Sequence, residues 1–337
     1  MGEIKLALVG CGNIAHAHAR GYKALPQLFR VVAVCDVDEE RAGRMAQELG
    51  AGKVYHDYRQ VADDPEVEAV DVCLPHDLHA PVAIACARAG KHVLVEKPLA
   101  TSMEEGREMV RTAKEAGVKL MVAFNERYDP VNRRMKELVD EGKLGRIFLL
   151  RLDHNQNVCV PEGHWIRSRK RMGGCGGVVF GSMPHRLDLL RWFGGEVEKV
   201  YGLTFEMPER MEGPVSAVAL MRMRSGATGE VTAVWACANP AWYEGAWVYG
   251  TKGSAYSVTW WGGRSELFFD DGERRTKVDV EPADSFTEEI RHFGECILED
   301  KEPLTNGEDA LKSLELSVAI WRAAEEGKVV NLPLSEG

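Results

Sequence analysis

Five short apolar runs in the first 125 residues, separated by helix-like stretches, limit what this chain can fold into more than any other feature. The runs lie at residues 4–9, 31–35, 69–74, 92–95 and 120–124, and helical patterns occupy 38–49, 80–89 and 102–116. Runs this short and this apolar read as strands buried on both faces of a parallel sheet. Right-handed crossovers then make a doubly wound α/β fold the expected answer. After about residue 125 the rhythm changes. A helix at 130–141 is followed by alternating strands at 146–153, 216–224, 229–236 and 246–249, with a Gly-rich loop and a helix near 182–193 between them. That pattern predicts an α+β domain whose largely antiparallel sheet is covered by helices on one face and open on the other. The expected domains are 1–124 and 125–337, each long enough to bury its own core. In a last helix, about 307–326, Leu311, Leu314, Val318 and Trp321 share one side and read as core.

Charge and cysteine usage remove several function classes. The net charge is −10, from 52 acidic and 42 basic residues, whereas phosphate-backbone binding rests on concentrated Lys and Arg. The basic stretch Arg167 to Arg171 reads as a solvated loop, and no nucleic-acid partner is expected. No stretch of about 18 apolar residues occurs and the N-terminus lacks a signal-peptide pattern, so a cytoplasmic protein with no membrane partner is expected. Eight cysteines are scattered without a C-x-x-C pair, which suits a reduced protein without a structural zinc site. His16 and His18 stand two apart in the first helix, on different faces, so no metal is expected there.

Gly10-Cys11-Gly12-Asn13-Ile14-Ala15 fits G-x-G-x-x-A between the first strand and a helix. Gly10 permits the tight turn, Gly12 lets backbone approach a pyrophosphate, and Ala15 allows close helix packing. The helix start at Asn13 and Ile14 offers unpaired N–H groups to phosphates. Asp36 ends the second strand, where an acid would bind the adenosine ribose diol; the alternative is that it caps a loop. An acid there repels a 2′-phosphate, so NAD is expected in preference to NADP. The pattern is that of a Rossmann dinucleotide-binding domain. Glu96-Lys97-Pro98 follows the run at 92–95, at the carboxyl edge of such a sheet. An ammonium there can hold a substrate oxygen during hydride transfer.

Together with these motifs, residues 90–100, 122–130 and 307–311 resemble the Gfo/Idh/MocA family across essentially the whole chain. The resemblance implies an NAD(P)-dependent oxidoreductase that passes a hydride between nicotinamide and a hydroxyl or carbonyl carbon of a sugar, sugar derivative or cyclitol. It also implies a homodimer or homotetramer packed through the C-terminal sheet. By the same resemblance Lys97 is the catalytic lysine, Glu96 lies near the nicotinamide ribose, and Leu74, Pro75 and His79 form the turn beside the cofactor. Leu74 stands where the family has Thr. Asn125, within the 122–130 match, joins the implied cofactor contacts. The family's second catalytic segment corresponds to residues 176–188. His185 and Asp188 match it, but Gly181 stands in place of an aspartate and Met183 in place of a glycine. His185 is the candidate general base, since an imidazole titrates near neutral pH. Asp153 and Asn155, in a polar run at a strand end expected to face the cleft, suit a hydroxyl-rich ligand, or else belong to a solvated loop. Trp165 and Arg167 correspond to a loop that contacts nicotinamide and substrate in the family. The missing aspartate keeps a redox-neutral, NAD-dependent glycoside-cleaving enzyme open as an alternative, and the resemblance leaves a third, a non-catalytic cofactor-binding sensor.

Overall fold

Each apolar run forms a strand because its residues fill both faces of one sheet. The computed structural model describes residues 2–237, 243–260 and 264–335. In chain order β1 (Ile4–Val9), α1 (Asn13–Ala24), β2 (Phe29–Cys35), α2 (Glu39–Leu49), β3 (Lys53–Tyr55), α3 (Tyr58–Asp63), β4 (Ala69–Val72), α4 (His79–Arg88), β5 (His92–Glu96), α5 (Met103–Ala116) and β6 (Leu120–Ala123) alternate. The strands pair in parallel in the order β3-β2-β1-β4-β5-β6. Leu6, Leu8, Val70, Leu94 and Met121 are wholly buried. Local signals set the helix ends. Asp38 caps α2 through the Arg41 N–H and Ser102 caps α5 through the Glu105 N–H, and both helices stop at a left-handed glycine, Gly50 and Gly117.

The second unit is built on α6 (Pro130–Asp140), β7 (Ile147–Asn155), the short helices α7 (Arg169–Met172) and α8 (Gly177–Gly181), and α9 (Met183–Gly194). Strands β8 (Val197–Glu206), β9 (Pro214–Met223), β10 (Thr228–Val234), β11 (Tyr243–Gly250), β12 (Ser254–Trp260), β13 (Glu266–Asp270) and β14 (Arg275–Val278) follow. The sheet is antiparallel except for β7 beside β10, which run parallel. Alternation sorts its faces: Leu150, Leu152, Val231, Ala233, Ala217, Ala219, Ala246 and Val248 are buried on one, while Leu203, Val218 and Leu220 on the other are exposed. The expected open-faced sheet is the one observed.

The chain then returns to the first unit. Helix α10 (Ser285–Leu298) packs on α1, and α11 (Gly307–Glu326) and β15 (Val330–Asn331) complete the elements. The compact units are residues 1–128 with 283–311 and residues 129–282 with 312–337, which differs from a single cut after 124. The reason is local packing. A methyl at Gly21 of α1 would stand 2.5 Å from Ile290 Cδ1, so glycine lets α10 settle closely. Phe293 stacks on Phe29 of β2 with ring centroids 6.4 Å apart. Ile290 and Phe293 are fully buried in that core.

Candidate active site

Parallel strands end on one side, so the residues that follow β1, β2, β4, β5 and β6 (Gly10, Asp36, Leu74, Lys97 and Asn125) leave the sheet at its carboxyl edge. Gly10 has φ +93° and a methyl there would lie 2.3 Å from the Cys73 carbonyl oxygen, so only glycine makes this turn. Beside Gly12 the space is open: nothing lies within 4 Å of where a methyl would stand. Helix α1 starts with no side-chain cap and no acidic residue in its first turn. Its first N–H groups and positive dipole end are therefore available to an anion. Asn13 is exposed and Ile14 half-buried at this end.

Asp36 is 9% exposed. Its Oδ2 accepts the Cys11 N–H at 2.8 Å and its Oδ1 the Asp38 N–H at 2.9 Å, so it fixes its loop and, with about four acceptor positions on a carboxylate, still has capacity for a diol. Arg41 lies 3.6 Å from Asp36 and 3.1 Å from Asp38. Its charge is shared by two carboxylates. A glycine turn, an open helix end and an acid at the second strand fit a dinucleotide without a 2′-phosphate.

Lys97 is half-buried just beyond β5, and its backbone N–H donates to Glu96 Oε2 at 3.1 Å. Glu96 Oε1 faces His18 Nε2 at 3.2 Å, and His18 Nδ1 faces Asp71 Oδ2 at 2.7 Å. Tyr22 donates to the same Asp71 oxygen at 2.8 Å. His18 and Asp71 are fully buried. Burial pulls the His18 pKa down, but the Asp71 carboxylate outweighs it and holds the imidazole well above its ordinary value. Burial pushes Glu96 up, yet the His18 bond and the Lys97 charge leave it below the usual carboxylate range. His18 is thus an imidazolium clamped between two carboxylates.

His79 is likewise fully buried. Its ring nitrogens face the Leu74 carbonyl at 2.9 Å and the Pro98 carbonyl at 2.8 Å. Burial keeps its pKa below the ordinary value, with the two carbonyls opposing. The ring ties the turn after β4 to the segment after Lys97. Glu96 and His79, expected as cofactor contacts, are buried at this edge and bond to the protein itself. Leu74 and Pro75 remain half-exposed on it. Asn125 donates through Nδ2 to Ser285 Oγ at 3.0 Å, which anchors it to the returning chain.

In the second unit the polar residues collect on the helix-covered face, where β7 and β10 end side by side. His154 of β7 pairs with Glu244 of β11 in register, its Nδ1 3.1 Å from Glu244 Oε1. Arg186 Nη2 of α9 lies 3.2 Å from Glu244 Oε2. Burial pushes the Glu244 carboxyl up, but Arg186 outweighs it and, with His154 and His185, holds it far below its usual range. His185 lies on the first turn of α9, its N–H donating to the Ser182 carbonyl at 3.3 Å.

Asp153 and Asn155 do not join this group. Strand alternation puts them on the opposite face from His154, where Asp153 pairs across the ladder with Gly245 and Asn155 with Tyr243. Asp153 is buried there, 3.5 Å from Arg151, and burial raises its pKa. Of the polar run, His154 is the residue of β7 on the helix-covered face, and its Nε2 lies 2.7 Å from Gln156 Oε1. Asp188 turns to α11, where Ser313 Oγ donates to its Oδ1 at 3.2 Å; it braces the helix. Trp165 and Arg167 form a short 3-10 turn, and Arg167 donates to the Glu209 carbonyl at 3.0 Å. At Gly181, a methyl would stand 2.0 Å from two ring carbons of Trp235.

The residues missed from sequence left partial signals. An aspartate inside the buried run at 69–74 demands a partner, and His18 and Tyr22 stand one helical turn apart on the face turned to it. Trp235 and Glu244 gave none, because their roles come from strands paired across long separations.

Residues 4–124 match an oxidoreductase family model with an NAD-binding Rossmann fold, and residues 132–256 match the Gfo/Idh/MocA C-terminal domain. The chain is 29% identical to a myo-inositol 2-dehydrogenase of Thermotoga maritima, over 98% of both chains. It is 28% identical to the NAD(+)-dependent scyllo-inositol 2-dehydrogenase of Bacillus subtilis, over 98% of this chain and 96% of that one. A levoglucosan dehydrogenase solved with NADH and L-sorbose superposes with a TM-score of 0.89 at 26% identity, covering 99% of this chain and all of the other. The chain belongs to the Gfo/Idh/MocA oxidoreductase family.

Proposed function

We propose that this protein is an NAD-dependent dehydrogenase or reductase of a ring CH–OH group in a sugar or cyclitol. The observation that carries the reading is the carboxyl edge of the parallel sheet, which presents the Gly10–Gly12 turn, Asp36 and Lys97 on one side. Bound there, the nicotinamide would supply the hydride chemistry. Lys97 would hold the reacting oxygen with its ammonium, and His185 would take the hydroxyl proton in the oxidative direction. The Glu96–His18–Asp71 chain keeps the backbone of Lys97 in place, so its side chain starts from a fixed point. The relatives' named substrates, inositols and levoglucosan, set the class of ligand.

The open face of the second unit supports a homodimer or homotetramer. Leu203, Phe205, Val218 and Leu220 on β8 and β9 are 58%, 63%, 39% and 51% exposed, and Leu203 lies directly opposite Val218. A contiguous apolar stripe of this kind suits a self-complementary interface. Six of the eight cysteines are buried and all eight are free thiols, which accords with the reducing cytoplasm.

The test is a fluorescence titration with NADH and NADPH, followed by incubation of myo-inositol, scyllo-inositol and levoglucosan with excess NAD. Preferential NADH binding and net NADH accumulation are expected. Product without net NADH would indicate redox-neutral cleavage instead, and no dinucleotide binding at millimolar concentration would refute the reading.

A further inference from the structure

At the end of α9 opposite His185, the second unit holds a cavity of about 260 Å³. Five charged side chains line it: Arg191, Glu196, Arg224, Lys312 and Glu315. Arg191 stands on the last turn of α9, and its Nη2 and Nε donate to Glu196 at 3.1 and 3.3 Å. Lys312 of α11 donates to the same carboxylate at 2.9 Å. Burial pushes the Glu196 carboxyl up, but these two cations outweigh it and hold it below its usual range. Glu315 Oε1 accepts the Leu334 N–H at 2.8 Å. Arg224 follows β9, and its backbone N–H donates to the Glu196 carbonyl at 2.8 Å, which pins it at the rim. Its guanidinium is exposed and meets no acceptor among the described residues.

Three cations thus face two carboxylates, a local surplus of positive charge in a chain whose net charge is −10. The surplus falls on Arg224, whose N–H donors are uncommitted and whose planar fork matches a carboxylate. Leu332 and Pro333, half-buried and exposed, add apolar surface to the lining. We propose that this cavity binds a small organic monoanion, a carboxylate on a short aliphatic body. Arg224 takes the carboxylate, and Leu332 and Pro333 take the body. One negative charge balances the lining, whereas a dianion leaves it negative and an amide offers the guanidinium no charge. The volume lies below the usual range for ligand sites, about 300–1,000 Å³, so the body is a few carbons long. The ligand is not the reacting sugar. Arg191 stands six residues beyond His185, about 9 Å along the helix axis.

The experiment titrates pentanoate, acetate, pentanamide and inorganic phosphate into the full chain by calorimetry, with and without NADH. Expected is saturable binding of pentanoate at one site, about tenfold tighter than acetate, from partial burial of the added methylenes. Pentanamide should not bind, and phosphate should bind more weakly than pentanoate. Arg224→Gln should weaken pentanoate by about tenfold to a hundredfold, the size of a lost hydrogen bond between charged groups. Arg224→Lys, which keeps the charge and loses the fork, should weaken it less. Binding that survives Arg224→Gln within twofold overturns the assignment, as does displacement of pentanoate by NADH or by an oxidised polyol. Phosphate bound as tightly as pentanoate, or no saturable binding at tens of millimolar, overturns it equally. The dehydrogenase reading stands or falls apart from these outcomes, since none of them measures turnover.

Discussion

The edge of the parallel sheet and the turn before His185 are organised by opposite means. At the first, His18 is locked between Asp71 and Glu96, and Glu96 in turn accepts the backbone N–H of Lys97. At the second, the space left by Gly181 is occupied by an indole. A site built on buried charge is brittle to loss of one partner and sensitive to pH. A site built on fit is sensitive to volume and indifferent to pH.

The largest effect expected on stability is that of His18→Leu. It strands two buried carboxylates, and breaking such a network costs about 3–5 kcal/mol. Urea unfolding near neutral pH measures it, and a loss below about 1 kcal/mol, the range of exposed pairs, would show that the cluster is not charged. The pH dependence sharpens the point. His18 is raised, so its contribution is complete below its unfolded pKa and fades as pH rises through the folded value. Glu96 is lowered, so its contribution is present above its unfolded pKa and fades as pH falls through the folded value. The penalty of His18→Leu should be greatest between those limits and shrink in acid, where the stranded carboxylates take up protons. Chemical unfolding at several pH values reads this directly.

Next comes Gly181→Ala, the matching break in the second unit. Overpacking against Trp235 should cost about 1–3 kcal/mol, with no pH dependence, and Trp235→Ala in the same chain should relieve most of it. A pH-dependent penalty would erase the contrast between the two sites. The smallest effect belongs to Asp153→Asn. On the face opposite His154 and buried there, it should leave turnover within about twofold. A hundredfold loss would return Asp153 to the substrate.

Much of the first unit was legible in the sequence because its signals are local. Gly10, Gly12 and Asp36 act through a turn, a helix start and a strand end, each encoded by a few adjacent residues. The buried chain behind Lys97 was not legible, because it joins positions 18, 71 and 96, and only the fold brings them together. The second unit exposed the limits further. Counting along β7 identified a polar run but not which members share a face with His185, and a strand's period of two decides that. Gly181 was visible as a departure, yet its meaning lay in Trp235, 54 residues further on. The return of residues 283–311 to the first unit escaped a reading in which domains are unbroken segments.

The most direct measurement is the rate of NADH formation by Lys97→Ala on whichever polyol the wild type oxidises, with NADH affinity determined on the same preparation. Lys97 should lower the barrier by its position alone, so the variant should lose about 10²- to 10⁴-fold in kcat while binding NADH within twofold of wild type. Undiminished turnover would contradict the assignment of the sheet's carboxyl edge as the place where the hydride moves.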